Sequence, residues 1–200
     1  MSAVLETLSR MPQAAVKRHR LSVGEVLELE RSGFFRGKPR MELIEGELVE
    51  MAPIGPLHAS MMDRLTRRLA RELPDSVGVR IQGSICLGEH ALPEPDVTLY
   101  RSRADGFTQA HPGPSDIFAV IEVADSSLAY DRVTKALLYA RAGIPLYWVV
   151  DVDARRVIEF REPCPDGYQE QRELGGADAL MLSAAPDWSM AVGEIFSAGA

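Results

Sequence analysis

Between residues 58 and 73 the apolar residues recur at helical spacing. Met62, Leu65, Leu69 and Leu73 fall on one face, while Arg64, Arg67, Arg68 and Arg71 fall on the other. The contrast predicts an amphipathic helix, its arginine stripe reading first as a solvated face and only second as a phosphate contact. Upstream, Ser22 and Glu25 have capping-box spacing and open a short helix on Val26 and Leu29, which Gly33 closes. Apolar pairs on both sides of Glu45-Gly46 predict a β-hairpin over residues 41–51, with glycine supplying the positive φ of the turn. Pro53, Gly55 and Pro56 then interrupt the chain.

Downstream the period changes. Strands are predicted over 77–87, 96–100 and 117–123, the last nearly continuous in apolar residues as a central strand should be. A helix from about Leu128 stops at Gly143, with Pro145 just beyond. A buried strand over 146–150 follows, then a turn at Asp153-Ala154 and a two-stranded exit over 156–161 and 168–173. Strands, helix and strand in that order imply an α/β sandwich around a mixed sheet. We read residues 21–200 as a single domain, preceded by an arm over residues 1–20 that carries Lys17-Arg18-His19-Arg20.

Composition narrows the picture. A chain of 200 residues with 46% hydrophobic content can bury one sizeable core. It has no apolar run near the ~20 residues needed to cross a bilayer, and residues 1–20 lack the apolar centre of a signal peptide. Cys86 and Cys164 stand alone, without C-x-x-C spacing, and read as reduced thiols of a cytoplasmic protein. The net charge of −7 is unevenly spread: residues 1–40 carry +4 and the remainder −11. That balance argues against tight non-specific DNA binding but leaves room for a local basic track.

Three residues then draw attention. Asp96 begins one strand, and Glu122 interrupts another between Ile121 and Val123, where a charge is costly unless paired or bound to a metal. Lys135 follows on the next helix, in a chain whose only other lysines are Lys17 and Lys38. Two carboxylates and an amine suit a divalent cation and a phosphodiester, since Mg²⁺ takes one or two protein carboxylates plus water and phosphate oxygens. Simpler readings stand beside this one. Pro95-Asp96 is also a turn in which the aspartate satisfies backbone N–H groups. Asp131 and Lys135, at i and i+4, also make an ordinary helix ion pair. Asp125, Ser126 and Ser127 read as a helix cap, His58 as a capping or packing residue, and Asp151 as a turn former.

The order P-D, E-V, D-x-x-x-K and Y-A-R-A-G-I-P-L-Y-W-V-V-D resembles the bacterial putative restriction endonuclease family, abundant in cyanobacteria, of the PD-(D/E)XK nuclease superfamily. E-L-I-E-G-E-L-V from Glu42, P-L-H ending at His58, R-I-Q ending at Gln82 and E-I-F from Glu194 extend the resemblance over roughly residues 21–196. It implies a restriction-endonuclease-like αβββαβ core with a mixed central sheet, plus an N-terminal helix and β-hairpin. It also implies Mg²⁺ or Mn²⁺ on Asp96 and Glu122, catalysis by Asp96, Glu122 and Lys135, a DNA substrate and a homodimer. Glu42, His58 and Gln82 are secondary candidates. Two positions depart from the pattern: Ala124 stands where the superfamily motif has its lysine, with Lys135 in the matching place on the helix, and Leu146 stands where the family usually has glutamate. The alternative is an inert nuclease-fold protein that binds nucleic acid or a protein partner. For the dimer, the expected contacts are residues 1–20 and the apolar tail at Ala179-Leu180-Met181-Leu182 and Ala191-Val192.

Overall fold

The computed structural model describes residues 17–197. Helix α1 (Val23–Arg31) opens on the expected capping box: the Glu25 N–H donates to Ser22 Oγ, and the Ser22 N–H donates to Glu25 Oε2. A hairpin follows, β1 (Met41–Ile44) and β2 (Glu47–Glu50), turning on Glu45 and Gly46 at φ 50° and 87°. Glycine is required at position 46 for a second reason, because a Cβ there would lie 2.6 Å from Arg20 Cβ. Helix α2 (Pro56–Glu72) buries Met61, Met62, Leu65 and Leu69, the apolar stripe its spacing called for. Its arginine face is not wholly free, since Arg68 pairs with Glu72 and with Glu194.

The central sheet has the order β3 (Val77–Ile81), β4 (Val97–Arg101), β5 (Ile117–Ala124), β6 (Leu146–Asp151), β7 (Arg156–Cys164) and β8 (Gly167–Leu174). Only β5 and β6 are parallel, so the sheet is mixed. Their connection is one helical segment in three parts: α3 (Leu128–Tyr130), a π-helical turn (Asp131–Lys135) and α4 (Ala136–Arg141). From α2 to β6 the order is therefore αβββαβ, as the resemblance implied.

Alternation along β5 sends Ala119, Ile121 and Val123 to the face covered by α2. Val120 and Ala124 face Ala136, Leu138 and Tyr139 of the other layer, and Glu122 shares that second face.

Two expectations need correcting, and a third needs refining. The strand predicted over 77–87 ends at Ile81, because Gln82 turns to φ 45° and no regular strand continues past it. Ser127 does precede the helix, but its side chain caps no backbone N–H; its hydroxyl donates to the Asp131 carboxylate instead. The apolar tail serves this chain's own core. It forms β9 (Ala179–Leu182), β10 (Ala185–Ala191) and the short helix α5 (Val192–Phe196), with Leu180, Leu182 and Val192 buried against α2 and the sheet. Those three residues are therefore occupied within the chain, whereas Met181 is exposed, and most of the arm expected at a twofold interface, residues 1–16, lies outside the described residues. No helix among the described residues is long and apolar enough to cross a membrane.

Candidate active site

Strand register assembles the site. Val97 pairs with Ile121 and Ile81 with Val97, so the next row holds Gln82, just past β3, Asp96, just before β4, and Glu122 on β5. Hydrogen bonds fix this row. The Gln82 N–H donates to the Asp96 carbonyl at 3.0 Å. The Asp96 N–H donates to Glu122 Oε2 at 3.3 Å, and the Val123 N–H donates to Asp96 Oδ2 at 2.8 Å.

The π turn brings the amine in. An ideal α-helical wheel sets Lys135 opposite Val133, Leu137 and Ala140 but beside Leu138 and Tyr139, and leaves its direction open. In the π turn the Ala136 N–H donates to the Asp131 carbonyl, widening the helix there. Val133 is 68% exposed, whereas Lys135 is buried. Lys135 Nζ donates to Glu122 Oε1 at 2.9 Å and lies 3.3 Å from Glu42 Oε2. It makes no ion pair with Asp131, so the ordinary i, i+4 reading fails among the described residues. The Tyr139 hydroxyl donates to the same Glu122 oxygen at 2.8 Å.

All three secondary candidates lie at this site. Glu42 is delivered by the β1–β2 hairpin, which docks through the Leu43–Leu92 bridge, and its Oε2 also accepts from the Glu94 N–H. His58, in the first turn of α2, donates from Nε2 to Asp96 Oδ1 at 3.0 Å. Gln82 lines a cleft of about 360 Å³ together with Asp96, Glu122, Lys135, His58 and Glu42. Asp151 lies elsewhere, accepting from the Ala154 N–H and pairing with Arg156, and is a turn residue.

The charge balance is lopsided. Burial pushes the Glu122 carboxyl up to about 8; Lys135 works against that rise, while Asp96 and Asp131 add to it. Burial likewise raises Asp131. Burial alone would weaken the Lys135 ammonium, but Glu122 and Glu42 outweigh it and hold its pKa above the ordinary value. The hydrogen bond to Asp96 raises His58 against its own burial. The site thus holds a firmly charged ammonium and more carboxylates than it can neutralise. An excess of that kind can be relieved either by a proton or by a bound cation.

Among the described residues, no three His, Cys, Asp or Glu side chains form a ready cage for a metal ion. The donors present are two hard carboxylates at one cleft, which fits a small divalent cation that completes its shell with water and phosphate oxygens. Sequence reasoning missed two tyrosines here, Tyr139 and Tyr130. The sign available was their spacing: Tyr130, Asp131, Lys135 and Tyr139 all fall on one helical segment.

A crystal structure of a putative nuclease belonging to DUF820 from Anabaena variabilis ATCC 29413 superposes with a TM-score of 0.70. It is 17% identical in sequence, and the match covers 88% of this chain and 97% of that one. At that identity the likeness establishes the fold. No curated protein matches the chain. The pattern of a family named Uma2, described as "Putative restriction endonuclease", matches residues 23–193, a span that includes Glu42, His58, Gln82, Asp96, Glu122 and Lys135. By that match the chain belongs to the Uma2 family of putative restriction endonucleases.

Proposed function

We propose that this protein is a cytoplasmic phosphodiester hydrolase dependent on Mg²⁺ or Mn²⁺, a DNA endonuclease whose working residues are Asp96, Glu122 and Lys135. The observation that carries the reading is their convergence: one carboxylate at the entry to β4, one on the adjacent β5, and a buried ammonium 2.9 Å from the second, all lining one cleft. Asp96 and Glu122 would hold the cation. When bound, it supplies charge neutralisation at the phosphodiester and lowers the pKa of water.

The chain's own residues divide the remaining work. Lys135 is held charged and so cannot accept a proton; its role is to donate hydrogen bonds to phosphoryl oxygens as charge builds on them. Glu42 keeps the ammonium paired when Glu122 turns to the cation. His58 orients the Asp96 carboxylate through its Nε2 hydrogen bond. We keep the homodimer as part of the proposal, with light scattering at micromolar concentration as its check.

The direct test is nicking of supercoiled plasmid. Purified protein is expected to convert it to open circle with Mg²⁺ or Mn²⁺ and to leave it intact in chelator. The second reading is a nuclease-fold binder that does not cut. It draws on the net charge of −7 and on a carboxylate network whose oxygens already have protein donors. Retention of labelled DNA without nicking under any divalent cation would favour it.

A proton competes with the cation. Burial raises the Glu122 carboxyl to about 8, so a proton binds there more readily than to an ordinary carboxylate and competes with an incoming cation. Cation affinity is therefore expected to rise with pH, by about tenfold per unit below that value, and to level off above it. The metal-free fold moves the other way. Glu122 binds its proton more tightly folded than unfolded, so it costs nothing below its ordinary value of 4.5 and erodes stability as pH rises toward about 8. Calorimetric titration with Mn²⁺ in two buffers of different ionisation enthalpy should count about one proton released per cation near neutral pH. An affinity that stays flat from mildly acidic to mildly basic pH would remove Glu122 from the ligand set.

A further inference from the structure

One buried polar atom on the cleft wall has no part in the network just described. The Tyr130 hydroxyl is enclosed, yet it has no hydrogen-bond partner among the described residues. Tyr130 lines the same cleft as Asp96, Glu122 and Lys135, and it ends α3 immediately before the π turn. Burying a phenol O–H without a partner is a net cost that a folded chain normally avoids. The other enclosed side-chain atoms without a hydrogen bond lie elsewhere. Thr98 Oγ1 sits at a fully buried strand position, Arg68 Nε faces its ion-pair partner Glu72, and Trp188 Nε1 is also away from this cleft.

We propose that the Tyr130 hydroxyl is a substrate-contacting donor, making its missing hydrogen bond to a non-bridging oxygen of the phosphodiester held in the cleft. The inference rests on the reading of this site as a phosphodiesterase and adds a residue to it. A phosphate oxygen is the chemistry that fits. The group must donate, because burial, aided by Glu42, pushes the phenol up to about 12 and keeps its proton on at any working pH. A carboxylate ligand would crowd the same acids without a matching cation, whereas a phosphodiester arrives with the cation that Asp96 and Glu122 hold. Contact requires a side-chain turn that carries the hydroxyl into the open cleft; the residue is already partly exposed.

The test is Tyr130→Phe, which removes one oxygen and keeps the ring. Single-turnover nicking with Mg²⁺ should slow about 10- to 100-fold. Binding of a short fluorescein-labelled duplex in Ca²⁺ should weaken about tenfold, and the melting temperature should hold or rise, since an unsatisfied buried hydroxyl is gone. A variant that melts lower while binding and cutting like the parent would overturn the proposal and make Tyr130 a packing residue. A parent protein that neither binds the duplex nor nicks plasmid would overturn the phosphodiesterase reading and this inference with it. A parent that cuts while the variant cuts equally fast overturns only the inference.

Discussion

With methionine in place of Lys135, cleavage is expected to fall about 10²- to 10³-fold and the metal-free protein to lose about 3–5 kcal/mol of stability. Both effects stem from the ammonium's position between Glu122 Oε1 and Glu42 Oε2. Methionine keeps the length of the side chain and removes its charge, leaving Glu42, Glu122 and Asp131 buried together. Those acids must then take up protons or repel one another, and either response costs stability. Added Mg²⁺ restores a positive charge to the site, so the stability gap should narrow when it is present. Rate should not recover, because the lost interaction forms chiefly in the transition state. Urea melts with and without Mg²⁺, run beside the nicking assay, read both effects. Undiminished nicking by Lys135→Met would remove Lys135 from the mechanism.

The amide variants should behave in the opposite way. Asp96→Asn and Glu122→Gln are each expected to abolish measurable cation binding and to lower cleavage by at least about 10³-fold, the loss expected when the charge that the cation neutralises is exposed again. Metal-free stability should hold or rise. Each change removes one acid from the cluster of Glu42, Asp96, Glu122 and Asp131 around a single ammonium, and Glu42 still pairs with Lys135 after Glu122→Gln. The amide oxygen introduced by Glu122→Gln can keep accepting from Lys135 and Tyr139, and the one introduced by Asp96→Asn from the Val123 N–H. Thermal melts of both variants, with and without Mg²⁺, distinguish a functional acid pair from a structural one. Lower melting temperatures in both, with no effect of Mg²⁺ on the parent, would support the inert nuclease-fold reading.

How far the sequence revealed the site depends on how local each signal was. The apolar face of α2 and the capping box at Ser22 rest on neighbouring residues, and both are found where the spacing puts them. Asp96 and Glu122 were legible because an acid inside an apolar run stands out, and strand register then puts them in one row. Lys135 was legible as a residue but not in its direction, because a wheel drawn at about 3.6 residues per turn does not describe a π turn. Glu42 could be picked only by its motif, since its place over the cleft depends on a hairpin held by a bridge to Leu92, far along the chain. The tail divides for a similar reason. Leu180, Leu182 and Val192 are covered by this chain's own α2 and sheet, while Met181 beside them stays exposed, and local spacing alone does not separate the two.

The π turn leaves the chemistry dependent on a single surplus residue. A helix that closes at i+5 holds one residue more per turn than one that closes at i+4. Thr134 sits in that turn with its side chain exposed. Loss of its codon alone would let the segment relax into regular winding and rotate the residues before it against those after it by about 100°. Tyr130 and Asp131 would then no longer share a wall with the amine and Tyr139. None of the proposed catalytic side chains would have changed and no core residue would be missing, so on this reading an inactive lineage of the fold could arise by an in-frame deletion of one codon, invisible to any inspection of the acidic motif.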